Sequence, residues 1–154
     1  MKFAYVLISF SILLSSCANN KAVTIVQTQS IEPLEAIKAF EAICLKTAPS
    51  FSGAAQVATA FGITAITNLG FMKMGFNKDQ SMGIQIKSDK ECVITTPSQR
   101  INGLTTQFLG AVSRYANAPS LDKVPSKVNI NGVPFIFHHD RKGGEAYVML
   151  KANG

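Results

Sequence analysis

Apolar positions along this chain recur first at helical and then at strand spacing, and the switches mark its elements. Leu34, Ile37, Phe40, Ile43 and Cys44 step by three and four, predicting an amphipathic helix that ends near Thr47. Ser30 precedes it, and Pro33 suits a first turn, where a missing N–H loses no partner. Cys44 falls on the apolar face. Pro49 ends this helix, and Ser50 or Ser52 is placed to cap a second, whose stripe is Ala54, Val57, Ala58 and Phe61. Gly62 supplies a left-handed stop. Residues 63–76 turn β-branched and aromatic, with Gly70 and Gly75 as interruptions, and read as strand. Met82, Ile84 and Ile86 then alternate at the period of a half-buried strand. The turn Lys87-Ser88-Asp89-Lys90 leads into a third strand, Glu91 to Thr96, which carries Cys92.

Ser98 is a second capping candidate, ahead of a stripe at Ile101, Leu104, Phe108, Val112 and Tyr115. Asn117 to Pro119 closes that helix. Val128 and Ile130 lead to Asn131-Gly132, the dipeptide of type I′ hairpin turns, with Phe135 and Phe137 returning. Pro134, early in its strand, predicts that one side of that strand is unpaired. Gly143-Gly144 marks a last turn before Tyr147 to Leu150. Short connections between successive strands require antiparallel pairing. The expected fold is therefore α+β: a single antiparallel sheet of five or six strands, with about three helices packed on one face. The expected order is two helices, three strands, a helix and three strands.

The N-terminus has a different pattern. Lys2 is followed by an apolar run of about 12 residues, Phe3 to Leu14, and then by Ser15, Ser16 and Cys17. This run is short of the ~20 residues a membrane span needs. Leu14-Ser15-Ser16-Cys17 resembles the lipobox of bacterial lipoproteins. The resemblance implies removal of residues 1–16, acylation of Cys17 and attachment to a membrane. Ala18 rather than aspartate after the cysteine implies the outer membrane, facing the periplasm. An ordinary signal peptidase cutting after Ala18 is the rival reading. Residues 17–31 read as a tether, with a possible edge strand at Ala22 to Val26, and residues 32–154 as one α+β domain.

Charge and cysteine count sharpen this picture. The chain has 15 basic and 9 acidic residues, and losing Lys2 lowers its net charge from +6 to +5. The lysines are scattered without interleaved aromatics, so nucleic acid is not an expected partner. Setting Cys17 aside leaves Cys44 and Cys92, an even pair that an oxidising compartment would join as a disulfide. A reactive thiol or metal pair is the rival. No Cys-x-x-Cys and no nearby histidine supports it.

Phe40-Glu41-Ala42-Ile43-Cys44-Leu45, Pro49-Ser50-Phe51, the alanine-rich second helix, Cys92-Val93-Ile94 and Pro97-Ser98 together resemble a family of small uncharacterised exported bacterial (lipo)proteins named for a neisserial locus. The likeness covers about residues 36–112. It implies an envelope location and a disulfide, and carries over no catalytic residue.

Candidate chemistry is sparse. His138-His139-Asp140, with Glu145 nearby, has groups suited to zinc or general-base work. Adjacent strand residues face opposite ways, however, which separates the two imidazoles. Ser120-Leu121-Asp122-Lys123 matches a Ser-x-x-Lys spacing but lies between Pro119 and Pro125, where a loop is expected. Met72, Met74 and Met82 read as core packing or as a pliable binding surface. Lys73, Lys78, Lys87 and Lys90 read as a solvated rim able to meet an acidic partner. No catalytic residue, metal ligand or cofactor is assigned. The expected function is that of a lipid-anchored, non-enzymatic envelope protein binding an envelope protein partner. The alternatives are a carrier of a small apolar ligand and a minor hydrolase using His138 or His139.

Overall fold

A computed structural model describes residues 34–153. The expected signal segment 1–16, Cys17, the tether 17–31 and Pro33 lie outside the described residues. Helix α1, Glu35–Phe40, runs directly into a π-helical turn, Glu41–Leu45, closed by the Lys46 amide on the Glu41 carbonyl at 3.1 Å. Ile43, Cys44 and Leu45 are consecutive and all buried there. Helix α2, Ala54–Ala58, tightens into a 3-10 turn, Thr59–Phe61, and stops at Gly62, whose φ is +77°. Neither Ser50 nor Ser52 caps α2. Gly53 holds that position, and the Ser50 hydroxyl accepts the Ser52 amide instead.

Among the described residues the sheet has seven strands rather than five or six: β1 Ala65–Asn68, β2 Lys73–Phe76, β3 Gly83–Lys87, β4 Glu91–Thr96, β5 Ser126–Ile130, β6 Val133–Asp140 and β7 Glu145–Lys151. The extra strand arises because the 63–76 stretch doubles back. The Leu69 amide donates to the Met72 carbonyl at 2.8 Å, and Gly70 makes the turn at φ +82°. A residue with a Cβ would be strained there. All pairings are antiparallel, in the order β1-β2-β3-β4-β7-β6-β5. Cys92 therefore lies on the fourth strand, not the third. Asn131 and Gly132 both have positive φ, +51° and +79°, as a type I′ turn between β5 and β6 requires.

Strand alternation puts Ile84, Ile86, Cys92, Ile94, Phe135, Phe137, Tyr147 and Met149 in the core with the helices. Helix α3, Leu104–Ala116, adds Leu104, Phe108, Leu109, Ala111 and Val112. It begins later than expected. Gly103, at φ +77°, precedes it, and no side chain caps it. Gln99 explains the delay: its amide donates to the Glu145 carboxylate at 3.0 Å, tying this segment to the sheet. Ile101 consequently falls outside the helix and is exposed, as is Tyr115. Asn117, in the left-handed conformation, ends α3.

Pro134 does not mark an unpaired side, because β6 has β5 on one flank and β7 on the other. It lies just outside the β6–β7 register, which begins at Phe135, and its carbonyl accepts the Ala152 amide at 2.9 Å. Its missing N–H is thus tolerated.

Cys44 and Cys92 are joined, with Cα atoms 5.5 Å apart, so the bridge pins the end of the π turn to β4. Closing a loop over 48 residues stabilises the fold by about 4 kcal/mol in the chain-entropy model. Replacing both cysteines by alanine should lower the denaturant-unfolding free energy by up to about 4 kcal/mol, with the slope against denaturant reporting any change in the unfolded state.

Candidate functional site

The most elaborate polar cluster lies where β6, β7, the segment before α3 and α3 itself converge. His139 has the same strand parity as Phe135 and Phe137 and therefore points into the core, while His138 points the other way and is exposed. The His139 side chain is fully covered. Its Nε2 faces Glu145 Oε2 at 3.0 Å, and its Nδ1 faces Thr105 Oγ1 at 2.9 Å. A neutral ring with its proton on Nε2 satisfies both contacts: it donates to the carboxylate and accepts from the threonine hydroxyl. The imidazole stacks on the Tyr147 ring, with centroids 4.4 Å apart and planes 12° from parallel.

Glu145 is the hub. Besides His139, it accepts Arg141 Nε at 2.9 Å, Arg141 Nη2 at 3.1 Å and the Gln99 amide at 3.0 Å. Arg141 Nη2 also reaches the Gln99 carbonyl at 2.8 Å. Burial opposes the charged carboxylate, yet the Gln99 amide and the Arg141 guanidinium outweigh it and hold the group below its ordinary range. Burial pulls His139 below its ordinary value, and Glu145 offsets this only in part. The Tyr147 hydroxyl, buried without a hydrogen-bond partner among the described residues, is pushed up by that burial to about 12.

Thr105, His139 and Glu145 have the hydroxyl–imidazole–carboxylate connectivity of a nucleophilic triad. The imidazole is sealed, whereas Thr105 is half-buried, and a concavity of about 210 Å³ beside Thr95, Asp140 and Glu145 is lined by neither of them. These contacts fasten the 97–103 segment and the first turn of α3 to the sheet.

The remaining candidates separate. Among the described residues, no group of three His, Cys, Asp or Glu side chains is placed to hold a metal ion. Ser120 and Lys123 are exposed in the irregular stretch before β5. Met82 is buried, whereas Met74 lines a surface groove of about 590 Å³ with Ala65, Phe76 and Lys78. Lys73, Lys87 and Lys90 surround a different concavity, at the far end of the strands from Lys78. The lysine group of the sequence is thus split between two ends of the sheet. The space between helices and sheet, where an apolar carrier needs its cavity, holds Phe40, Phe108 and Phe137, with ring centroids 4.9 and 6.4 Å from Phe40. Arg141, Thr105, Gln99 and Tyr147 were not singled out from sequence. The odd-numbered parity shared by Glu145, Tyr147 and Met149 was the signal available for one of them.

No protein-family model, curated protein or solved structure matches this chain.

The unfolded chain takes up a proton on His139 before the folded one does, so stability is complete above pH 6.5 and declines as pH falls through that value. Glu145, also lowered, adds a further loss below its ordinary 4.5. The melting temperature should therefore drop between about pH 7.5 and 5.5, and His139→Gln should flatten that slope. Glu145→Ala strands a buried imidazole N–H and the Arg141 charge, and should lower unfolding free energy by roughly 3–5 kcal/mol in denaturant melts.

Proposed function

We propose that this is a lipid-anchored, non-enzymatic protein of the bacterial envelope that acts through an envelope protein partner. The address rests on the Leu14–Cys17 resemblance to a lipobox, which directs acylation of Cys17 and retention at the outer membrane, facing the periplasm. The partner-binding role rests on one observation above all. β1 ends the sheet, so among the described residues its outer backbone groups pair with no strand. Beside this edge, Phe76 is 49% exposed over the groove that Met74 and Lys78 help to line. An extended segment adding to an open edge gains main-chain hydrogen bonds, and side-chain pockets next to the edge provide the selectivity. Phe76 and Met74 are placed to form such pockets.

Labelled palmitate should enter the protein, and Cys17→Ser should abolish both labelling and membrane fractionation. Affinity purification of the anchored protein should recover one specific envelope protein, and Phe76→Ser should cut its recovery at least tenfold. Repeated recovery of no specific partner ends the partner-binding reading.

A further inference from the structure

Three features lie at one end of the sheet. The register runs Lys73↔Ile86, Lys87↔Glu91 and Glu91↔Leu150, so the β1–β2 turn, the β3–β4 turn and the end of β7 are neighbours. The β1–β2 turn presents Leu69 at 45% and Phe71 at 71% exposure, the latter being the most exposed large apolar side chain among the described residues. The turn is well tied. Leu69 and Met72 share a backbone hydrogen bond of 2.8 Å, and the Gly70 amide donates to Asn68 Oδ1 at 3.0 Å. Phe71 is therefore displayed by an ordered hairpin.

Basic side chains stand around it. Lys73, Lys87 and Lys90 border the concavity that Phe71 walls, and Lys87, Lys90 and Lys151 border the adjoining one. Two carboxylates share this end, Asp89 and Glu91. Glu91 is already engaged, receiving Lys87 Nζ at 2.7 Å and Gln85 Nε2 at 2.7 Å. Four lysines against two carboxylates leave an excess of two positive charges.

We infer that this end of the sheet is a contact surface for an anionic phospholipid bilayer, with Leu69 and Phe71 entering the headgroup boundary and the lysines meeting lipid phosphates. Charge complementarity selects this occupant, since a lipid surface presents dense negative charge over an apolar layer. The pairing matches on both counts: apolar tips lead, and ammonium groups on flexible stems follow. The setting rests on the anchored reading above. Sixteen residues, 18–33, separate Cys17 from Leu34 and reach up to ~55 Å when extended. An acylated Cys17 would thus keep the hairpin at high effective concentration near the membrane, where weak contacts suffice. Docked this way, the sheet directs the Phe76 groove, at the other end of the strands, away from the bilayer.

The test uses the processed chain, residues 17–154, with Cys17→Ser, so that its outcome does not depend on acylation. The sequence contains no tryptophan, so Phe71→Trp introduces a single indole at the tip, excited apart from the tyrosines at the red edge of the absorption band. Vesicles containing phosphatidylglycerol should shift its emission to the blue and shield it from iodide, while pure phosphatidylcholine vesicles should do neither. In vesicle sedimentation, Phe71→Ser and the double variant Lys73→Glu/Lys90→Glu should each reduce binding to the anionic vesicles at least tenfold. Ile101→Ser, exposed elsewhere, should leave binding unchanged, and thermal melts should confirm that every variant is folded. Equal partitioning onto both vesicle types overturns the inference, as does undiminished binding by Phe71→Ser. Capture of an acidic protein through these lysines without any vesicle binding would also overturn it.

Discussion

Edge-to-face packing of Phe40 on Phe108 and on Phe137 holds the described domain together. It brings α1, α3 and β6 to one point, with ring planes at 71° and 77°. Each such pair adds about 0.5–1.5 kcal/mol beyond the area it buries. The same seam fills the space between helices and sheet at that point. The Cys44–Cys92 bridge lies on the same side of the sheet and ties the π turn to β4, so packing and covalent chemistry enforce one arrangement.

Much of this fold was legible in the residues because both layers follow simple periods. The stripe from Leu34 to Cys44 and the alternation of Met82, Ile84 and Ile86 identified elements that the structure contains. Gly62, Asn117 and Asn131-Gly132 marked stops and turns through backbone conformations that few residues adopt cheaply. Two features were less legible. Residues 63–76 split into β1 and β2 at a local turn, held by Gly70 and the Leu69–Met72 hydrogen bond, that no two-residue turn signal marks. The late start of α3 goes with a contact distant in sequence, the Gln99 amide on the Glu145 carboxylate.

The His139 cluster shows how far side-chain types alone can lead. Histidine, a carboxylate and a hydroxyl in contact have the connectivity of a catalytic set, and here the same contacts tie β6, β7 and α3 together. Parity along β6 made the burial of His139 readable from Phe135 and Phe137. Thr105 was not readable, because a helix reaches β6 only through tertiary packing. The lysines teach the converse. They looked like one group in sequence, and strand register divided them between two ends of the sheet.

The strand order has an implication for how the chain assembles. β1 to β4 form one local meander and β5 to β7 another, and they join only where β4 meets β7. The partners in that seam are 59 residues apart at Glu91↔Leu150 and 49 at Thr96↔Glu145, a slow kind of contact to close. Until Glu145–Lys151 docks, the first meander has a bare β4 border. β7 sits beside the centre of the sheet, so the interior stays open until that strand is in place.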